Sequence, residues 1–299
     1  MGKIAFVFAG QGAQYPGMCQ GLSPETMARL DAVRPGTMHQ MTEADAEELM
    51  KTDVTQPCVY AADLLAAFAL EERGIKADAV AGYSLGELAA LAYAGAFSLE
   101  EGMNLVTKRG IAMQKASDMH ETGMAAILKL SDEKVIELCG RFNQVYPVNF
   151  NCKGQVSCAG DKAELKEFAQ VVKAEGGLPR ILEVAGGFHS PFMQPAADEL
   201  ESEFQAIAYT ETRIPVYANF TAEPYEGNYA DLMTKQIVNP ILWQKSIENM
   251  IASGVDTFIE VGPGNRLGKM LSRISKDITL YNVENQETLD KVVEAIGGK

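Results

Sequence analysis

Cysteine, histidine and basic residues are all scarce in this sequence of 299 residues, and each scarcity argues against a class of protein. The five cysteines are an odd number without a Cys-x-x-Cys pair, which fits a reducing compartment better than a disulfide framework or a zinc site. Only three histidines are present, and His189 has no partner at metal-ligand spacing, so we expect no bound metal. Lysine and arginine total 26 against 40 acidic residues, a net charge of −14, which argues against nucleic-acid binding as the main function.

Long apolar runs are also missing. No basic N-terminal segment leads into an apolar region, and no apolar stretch has membrane-spanning length. We therefore expect a cytoplasmic protein without a membrane partner. The composition, 47% hydrophobic and 22% charged, is that of an ordinary globular chain, long enough for one large domain or two modest ones.

A serine motif stands where a short apolar run meets a helix-like stretch. In Gly82-Tyr-Ser-Leu-Gly86 the glycines let neighbouring backbone pass closely, and such a turn between a strand and a helix presents the serine hydroxyl at a helix N-terminus. Free N–H groups and the helix dipole favour a developing oxyanion there. The motif predicts a nucleophile at Ser84, and the alternative is a plain tight turn.

Two other side chains are candidates to serve this nucleophile. Arg109 falls on the apolar side of a helix that begins with the capping box at 98–101 and is predicted to end near residue 115. A guanidinium facing a core needs an anion, either an Asp or Glu of the protein or a substrate carboxylate. His189 follows two glycines in a loop. Because His39 and His120 lie in polar stretches, His189 is the best candidate for the base, and an idle loop histidine is the alternative.

The remaining pattern predicts a large α/β body. Apolar runs indicate its strands at 3–8, 78–82, 214–219 and 257–261. Gln56-Pro57 is predicted to open a helix that ends at Leu70. In the segment 236–243 a buried amide or its backbone could orient a histidine.

Between residues 117 and 186 the predicted order changes to βαββαβ, the ferredoxin-like arrangement of a small inserted subdomain. The predicted strands are 124–130, 145–150, 155–159 and 178–184, and the predicted helices are 132–141 and 162–174.

A basic stripe follows the turn Gly262-Pro-Gly264. Four basic residues fall within an arc of about 80° on the predicted helix there: Arg266, Lys269, Arg273 and Lys276. The stripe is either a solvated face or a landing surface for an acidic partner or for cofactor phosphates.

Seven motifs in order along nearly the whole chain resemble those of the malonyl-CoA:acyl-carrier-protein transacylases. They are Gly10-Gln-Gly-Ala-Gln14, Gln56-Pro57, Gly82-Tyr-Ser-Leu-Gly-Glu87, Arg109 with Met113-Gln114, Gly187-Phe-His-Ser190, Gln236 with Asn239-Pro240 and Trp243, and Glu260-Val-Gly-Pro-Gly264. The resemblance implies an α/β-hydrolase-like catalytic domain with a parallel sheet core at 1–116 and 187–299, and a ferredoxin-like insert at 117–186.

The resemblance also implies roles for individual residues. Ser84 would be the nucleophile, His189 its general base and acid, and the backbone carbonyl of Gln236 the group that orients the histidine. The N–H groups of Gln11 and Leu85 would form the oxyanion hole. Arg109 would hold the malonyl carboxylate. Phe188 resembles members that use malonyl, whereas Tyr83 stands where many members carry histidine, so its effect on substrate choice is open.

The implied reaction is ping-pong transfer of malonyl from malonyl-CoA, through a malonyl-serine ester, to the phosphopantetheine thiol of holo-acyl carrier protein in fatty-acid synthesis. The resemblance implies no bound cofactor and a monomer, with the basic stripe as a docking surface for the acidic carrier. Three alternatives remain: an acyltransferase that serves a polyketide synthase, a serine thioesterase or esterase, and a non-catalytic interaction protein.

Overall fold

The computed structural model describes residues 2–297, in which strands and helices alternate along most of the chain. The strands are β1 (Lys3–Phe8), β2 (Ala79–Gly82), β3 (Thr122–Leu128), β4 (Val145–Cys152), β5 (Gln155–Asp161), β6 (Leu178–Leu182), β7 (Val216–Tyr217), β8 (Val255–Val261) and β9 (Thr279–Val283). The helices are α1 (Pro24–Val33), α2 (Thr37–Glu43), α3 (Ala46–Leu49), α4 (Thr52–Glu72), α5 (Gly86–Ala94), α6 (Leu99–Asp118), α7 (Asp132–Cys139), α8 (Lys162–Ala174), α9 (Gln194–Gln205), α10 (Tyr229–Val238), α11 (Trp243–Ala252), α12 (Arg266–Ile274) and α13 (Gln286–Gly297), with a short 3₁₀ helix at Pro191–Met193.

Five strands form a parallel sheet in the order β7-β2-β1-β8-β9. The middle strand β1 is buried from Ala5 to Phe8, as expected of a parallel strand covered by helices on both faces. Because the strands are parallel, their carboxyl ends meet at one edge, where β2 leads into Ser84 and β8 leads into Gly262. The four strands that the sequence predicted for the α/β body all lie in this sheet.

The other four strands form an antiparallel sheet in the order β4-β5-β3-β6. With α7 and α8 they give the element order βαββαβ that the sequence predicted between 117 and 186, and their ends lie within a few residues of the predicted ones. Apolar side chains such as Val135, Val156 and Phe168 fill a separate core. The Phe150 N–H donates to the Ile241 carbonyl at 2.9 Å, which joins this sheet to the body.

Helix α4 begins four residues before the predicted start, so Pro57 lies inside the helix. A proline there removes one main-chain hydrogen bond, but nearly all of α4 is buried and tertiary packing outweighs that loss. Helix α6 crosses α4 closely: a Cβ on Gly110 would lie only 2.8 Å from the Thr52 carbonyl oxygen. This close crossing brings Gln56 of α4 next to Arg109 of α6.

The capping box at the start of α6 is present as predicted, with Ser98 and Glu101 bonded to each other's backbone N–H. The helix continues to Asp118, three residues beyond the predicted end. Arg109 lies on its buried face with 1% of its surface exposed. None of the helices between residues 2 and 297 is both long and apolar enough to cross a membrane.

Candidate active site

Ser84 occupies a strained turn between β2 and α5. Its φ is +55°, in the left-handed region that side chains rarely adopt. A Cβ on Gly82 would lie 1.9 Å from the Gly86 carbonyl carbon, and a Cβ on Gly86 would lie 2.4 Å from the Phe8 carbonyl oxygen, so both positions need glycine. Asn219 braces the turn: its side chain accepts from the Ser84 N–H at 2.8 Å and donates to the Gly82 carbonyl at 2.6 Å.

His189 lies against this serine. Its Nε2 is 2.8 Å from Ser84 Oγ, and its Nδ1 is 2.8 Å from the Gln236 main-chain carbonyl. A carbonyl only accepts, so Nδ1 carries the ring proton and Nε2 is free to accept the serine proton. The sequence predicted the loop position but not the burial, since only 3% of His189 is exposed, whereas His39 and His120 are exposed. Burial, with the positive charge of Arg109, lowers the pKa of His189 to about 3.

The side chain of Arg109 contacts Ser84. Its guanidinium donates to the side-chain oxygens of Gln56 and Gln236, each at 2.9 Å, and to Ser84 Oγ at 3.3 Å. All these partners within residues 2–297 are neutral. The structure therefore does not show the alternative raised above, a direct ion pair between Arg109 and an Asp or Glu of the described chain. Desolvation lowers the pKa of Arg109 to about 10, which leaves it charged at neutral pH. The buried guanidinium is therefore available to an anion beside the serine.

A buried carboxyl group, that of Glu87, is connected to Arg109 through the side-chain amide of Gln236. The side-chain nitrogen of Gln236 donates to the Ser84 carbonyl at 2.8 Å and to Glu87 at 3.2 Å, while its oxygen accepts from Arg109. Glu87 also accepts from the Asn219 N–H at 2.9 Å and from the Tyr225 hydroxyl. Burial raises the pKa of Glu87 to about 7. Gln236 thus connects the base, the guanidinium and the serine turn.

The serine opens into a cavity of about 280 Å³ between the two sheets. It is lined by six of the predicted site residues, Gln11, Tyr83, Ser84, Arg109, Phe188 and His189, and by Arg266 of the basic stripe. Leu85 follows the serine directly, and in the described part of the chain neither its N–H nor that of Gln11 donates a hydrogen bond. Both N–H groups are therefore free for a ligand.

Comparison with known proteins identifies the family. Residues 5–291 match the acyl transferase domain family. The chain is 33% identical over 310 residues to the malonyl CoA-acyl carrier protein transacylase of Bacillus subtilis, a match that covers 99% of this chain and 98% of that protein. The chain belongs to the malonyl-CoA:acyl-carrier-protein transacylase family.

Solved structures agree with this transacylase assignment. The malonyl CoA-acyl carrier protein transacylase of Clostridium perfringens superposes with a TM-score of 0.94 at 35% identity, covering 99% of this chain and 97% of that one. A malonyl-transacylase solved in complex with a type II polyketide synthase acyl-carrier protein superposes with a TM-score of 0.94 at 31% identity. The match covers 98% of this chain and 99% of that one. The fold of the family is thus a mixed α/β structure with a parallel and a separate antiparallel sheet.

The basic stripe is shorter in this transacylase than the sequence predicted. Helix α12 ends at Ile274, so Lys276 lies beyond the helix, because Ser275 adopts an extended backbone. All four basic residues are exposed, but only Arg266 reaches the cavity. Arg273 is held by the Gln155 side chain at 2.7 Å and by a main-chain carbonyl at 3.2 Å.

The sequence did not predict the buried polar residues that hydrogen-bond to the serine turn and to each other. Asn219 and Tyr225 were not singled out, and Glu87 appeared only as the last residue of the serine motif. The one available indication was that Asn219 is the last residue of the strand predicted at 214–219. Within residues 2–297, no group of three or more His, Cys, Asp or Glu side chains could hold a metal ion.

Proposed function

We propose that the protein transfers the malonyl group of malonyl-CoA to the phosphopantetheine thiol of holo-acyl carrier protein, supplying fatty-acid synthesis. One observation carries the proposal: a serine–histidine pair at 2.8 Å shares its cavity with a buried arginine that contacts the same serine at 3.3 Å. A guanidinium in that position selects an acyl group that ends in a carboxylate. The names of the full-length relatives support the same substrate and carrier.

In the first half-reaction Ser84 Oγ attacks the thioester carbonyl as His189 Nε2 takes the hydroxyl proton. The Gln236 carbonyl stabilises the imidazolium that forms. The N–H groups of Gln11 and Leu85 bind the tetrahedral oxyanion. The C–S bond then breaks, the proton passes from His189 to the departing CoA thiolate, and a malonyl-serine ester remains.

The second half-reaction runs the same chemistry in reverse order. His189 takes the proton from the phosphopantetheine thiol, the sulfur attacks the ester carbonyl, and Ser84 leaves with that proton. Arg109 keeps the malonyl carboxylate in place throughout, so the acyl group does not need to be bound anew. No metal or bound cofactor takes part in these steps.

The partner is an acidic carrier that docks at the basic stripe, next to the cavity. A relative in complex with an acyl-carrier protein supports this assignment. Arg266 stands at the cavity, and Lys269, Arg273 and Lys276 extend the positive surface away from it. The same proposal includes two expectations from the sequence analysis, that the enzyme is a monomer and that it is located in the cytoplasm.

The architecture fits two units of unequal size. We infer an α/β-hydrolase-like catalytic body at 1–116 and 187–299 and a ferredoxin-like insert at 117–186. The strand order β4-β5-β3-β6 and the separate core of the antiparallel sheet support the insert. The cavity between the sheets then lies between body and insert.

The test is intact-mass spectrometry after mixing the protein with malonyl-CoA, then with holo-acyl carrier protein. We expect a malonyl adduct that moves to the carrier. Ser84→Ala should form none, and Ser202→Ala, which changes an exposed serine on α9, should behave like wild type. Decay of the adduct to free malonate without transfer would instead identify a thioesterase.

Similarity to a transacylase bound to a polyketide carrier supports a second candidate partner, the acyl carrier protein of a polyketide synthase. The chemistry would be unchanged and only the carrier would differ. Transfer rates to a fatty-acid carrier and to a type II polyketide carrier, measured side by side, decide between them. We expect the fatty-acid carrier to be preferred.

A further inference from the structure

A row of polar side chains connects the serine turn to the antiparallel sheet. The Tyr83 hydroxyl donates to Asn151 Oδ1 at 2.6 Å and lies 2.9 Å from Asn149 Nδ2, while Asn151 Nδ2 donates to Ser157 Oγ at 3.3 Å. Asn149 on β4 and Ser157 on β5 are paired directly across the sheet, and both line the cavity beside Ser84.

These bonds have a fixed direction. Tyr83 has one hydroxyl proton, and Asn151 receives it, so the phenolic oxygen accepts from the Asn149 amide nitrogen. The Asn149 carbonyl oxygen must then point away from the phenol. Because Ser157 Oγ accepts from Asn151, the Ser157 proton is left to donate elsewhere.

Two groups remain unmatched at the end of this chain of bonds. Asn149 is 3% exposed, and its Oδ1 is buried without a partner in the described part of the protein. An unpaired buried acceptor is unfavourable and rare, and calls for a ligand or other partner. Ser157, 5% exposed, donates to no acceptor among residues 2–297. An acceptor and a donor therefore stand side by side at the cavity wall.

We propose that Asn149 and Ser157 form a subsite for the two secondary amides of the pantetheine arm, and that Tyr83 is the positioning residue that sets its polarity. Each amide is trans, so its N–H and its carbonyl point in opposite directions, and a single amide does not match two adjacent groups. The N–H of one amide donates to Asn149 Oδ1, and the carbonyl of the other accepts from the Ser157 hydroxyl. The inference rests on the proposed function, since malonyl-CoA and the holo-carrier share the arm.

Shared recognition has a kinetic consequence. The same arm occupies the cavity in both half-reactions, so one subsite serves both donor and acceptor substrate. Loss of the subsite should weaken acylation by malonyl-CoA and transfer to the carrier by similar factors. A residue needed only for the serine chemistry would instead slow every acyl donor, with or without an amide.

The test compares two acyl donors: malonyl-pantetheine, which has amides, and malonyl S-pentyl thioester, which has none. We expect the wild-type preference for malonyl-pantetheine, as the ratio of kcat/KM values, to fall about 10-fold in Asn149→Leu. Ser157→Ala and Tyr83→Phe should each lower it about 3-fold. Tyr146→Phe is the matched control, because its hydroxyl bonds to the Asn143 carbonyl and does not line the cavity.

An unchanged ratio in Asn149→Leu, or equal slowing of both donors, would overturn the inference. If that variant does not fold, Ser157→Ala and Tyr83→Phe decide on the same criterion. The proposed function is judged separately by malonylation of the wild-type protein with malonyl-CoA. Wild-type malonylation together with an unchanged ratio in the variants would reject the amide subsite alone.

Discussion

Replacement of Glu87 by glutamine should stabilise the protein more at pH 8 than at pH 5. The carboxyl is completely buried, and desolvation raises its pKa from an ordinary 4.5 to about 7 despite hydrogen bonds from Tyr225, Asn219 and Gln236. Glutamine has nearly the same shape and carries no charge. The variant therefore isolates the cost of ionising position 87 inside the fold.

The size of the effect follows from the pKa difference. Below pH 4.5 the carboxyl is protonated in both the folded and the unfolded protein, and the raised pKa costs nothing. Between 4.5 and 7 the unfolded chain ionises while the folded one does not, so stability falls with rising pH. The difference between a pKa of 4.5 in the unfolded chain and about 7 in the folded protein corresponds to about 3 kcal/mol of stability, most of it lost between pH 5 and pH 8.

Urea unfolding of wild type and Glu87→Gln at several pH values measures this difference in the free energy of unfolding. We expect the variant to gain about 2 to 3 kcal/mol relative to wild type from pH 5 to pH 8. Glu101→Gln is the control: hydrogen bonds from Ser98 lower the pKa of Glu101, so it is ionised across this window and its effect should stay constant. A pH-independent difference for Glu87→Gln would refute the reasoning.

Three further outcomes are expected. Arg109→Lys keeps the positive charge but loses the two parallel N–H groups that bind a carboxylate, so kcat/KM for malonyl-CoA should fall about 100-fold while kcat/KM for acetyl-CoA does not fall. Equal losses for the two substrates would contradict a carboxylate-binding role. Because the pKa of His189 is lowered to about 3, ionisation of His189 should not change the acylation rate near its ordinary value of 6.5, and an inflection there that persists in Glu87→Gln would contradict this. Gly82→Ala should lose about 3 kcal/mol or more in urea unfolding, because its Cβ would meet the Gly86 backbone at 1.9 Å. In Gly123→Ala the nearest atom to the new Cβ is 3.8 Å away, and a small change is expected.

The sequence pattern within a single turn or helix was enough to predict those site residues whose position depends on that turn or helix alone. Ser84 is fixed by glycines two residues to either side, and Arg109 by the 3.6-residue period of a helix whose start is marked by a capping box. The alternation of apolar runs with turns likewise predicted the four strands of the antiparallel sheet and four of the five strands of the parallel sheet, but not the edge strand β9. In each case the residues that decide the structure are close together in the sequence.

Long-range contacts account for what was missed. Asn219 braces Ser84 from 135 positions away, and the Tyr225 hydroxyl reaches Glu87 across 138 positions. Nothing in the neighbourhood of these residues indicates which groups they bond. The start of α4 was wrong for a related reason: Pro57 obeys a local rule for helix starts, whereas packing against the rest of the protein determined where the helix begins.

The partner of the histidine is a main-chain atom, so no side-chain substitution deletes it. Alanine scanning at position 236 would remove the amide bonds to Arg109, Ser84 and Glu87 but leave the carbonyl that accepts from His189 in place. Such a scan would report the cost of the amide alone and understate the contribution of the residue. Replacing the peptide bond after Gln236 by an ester, whose carbonyl is a weaker acceptor, would weaken the orienting bond while keeping every side chain of the site.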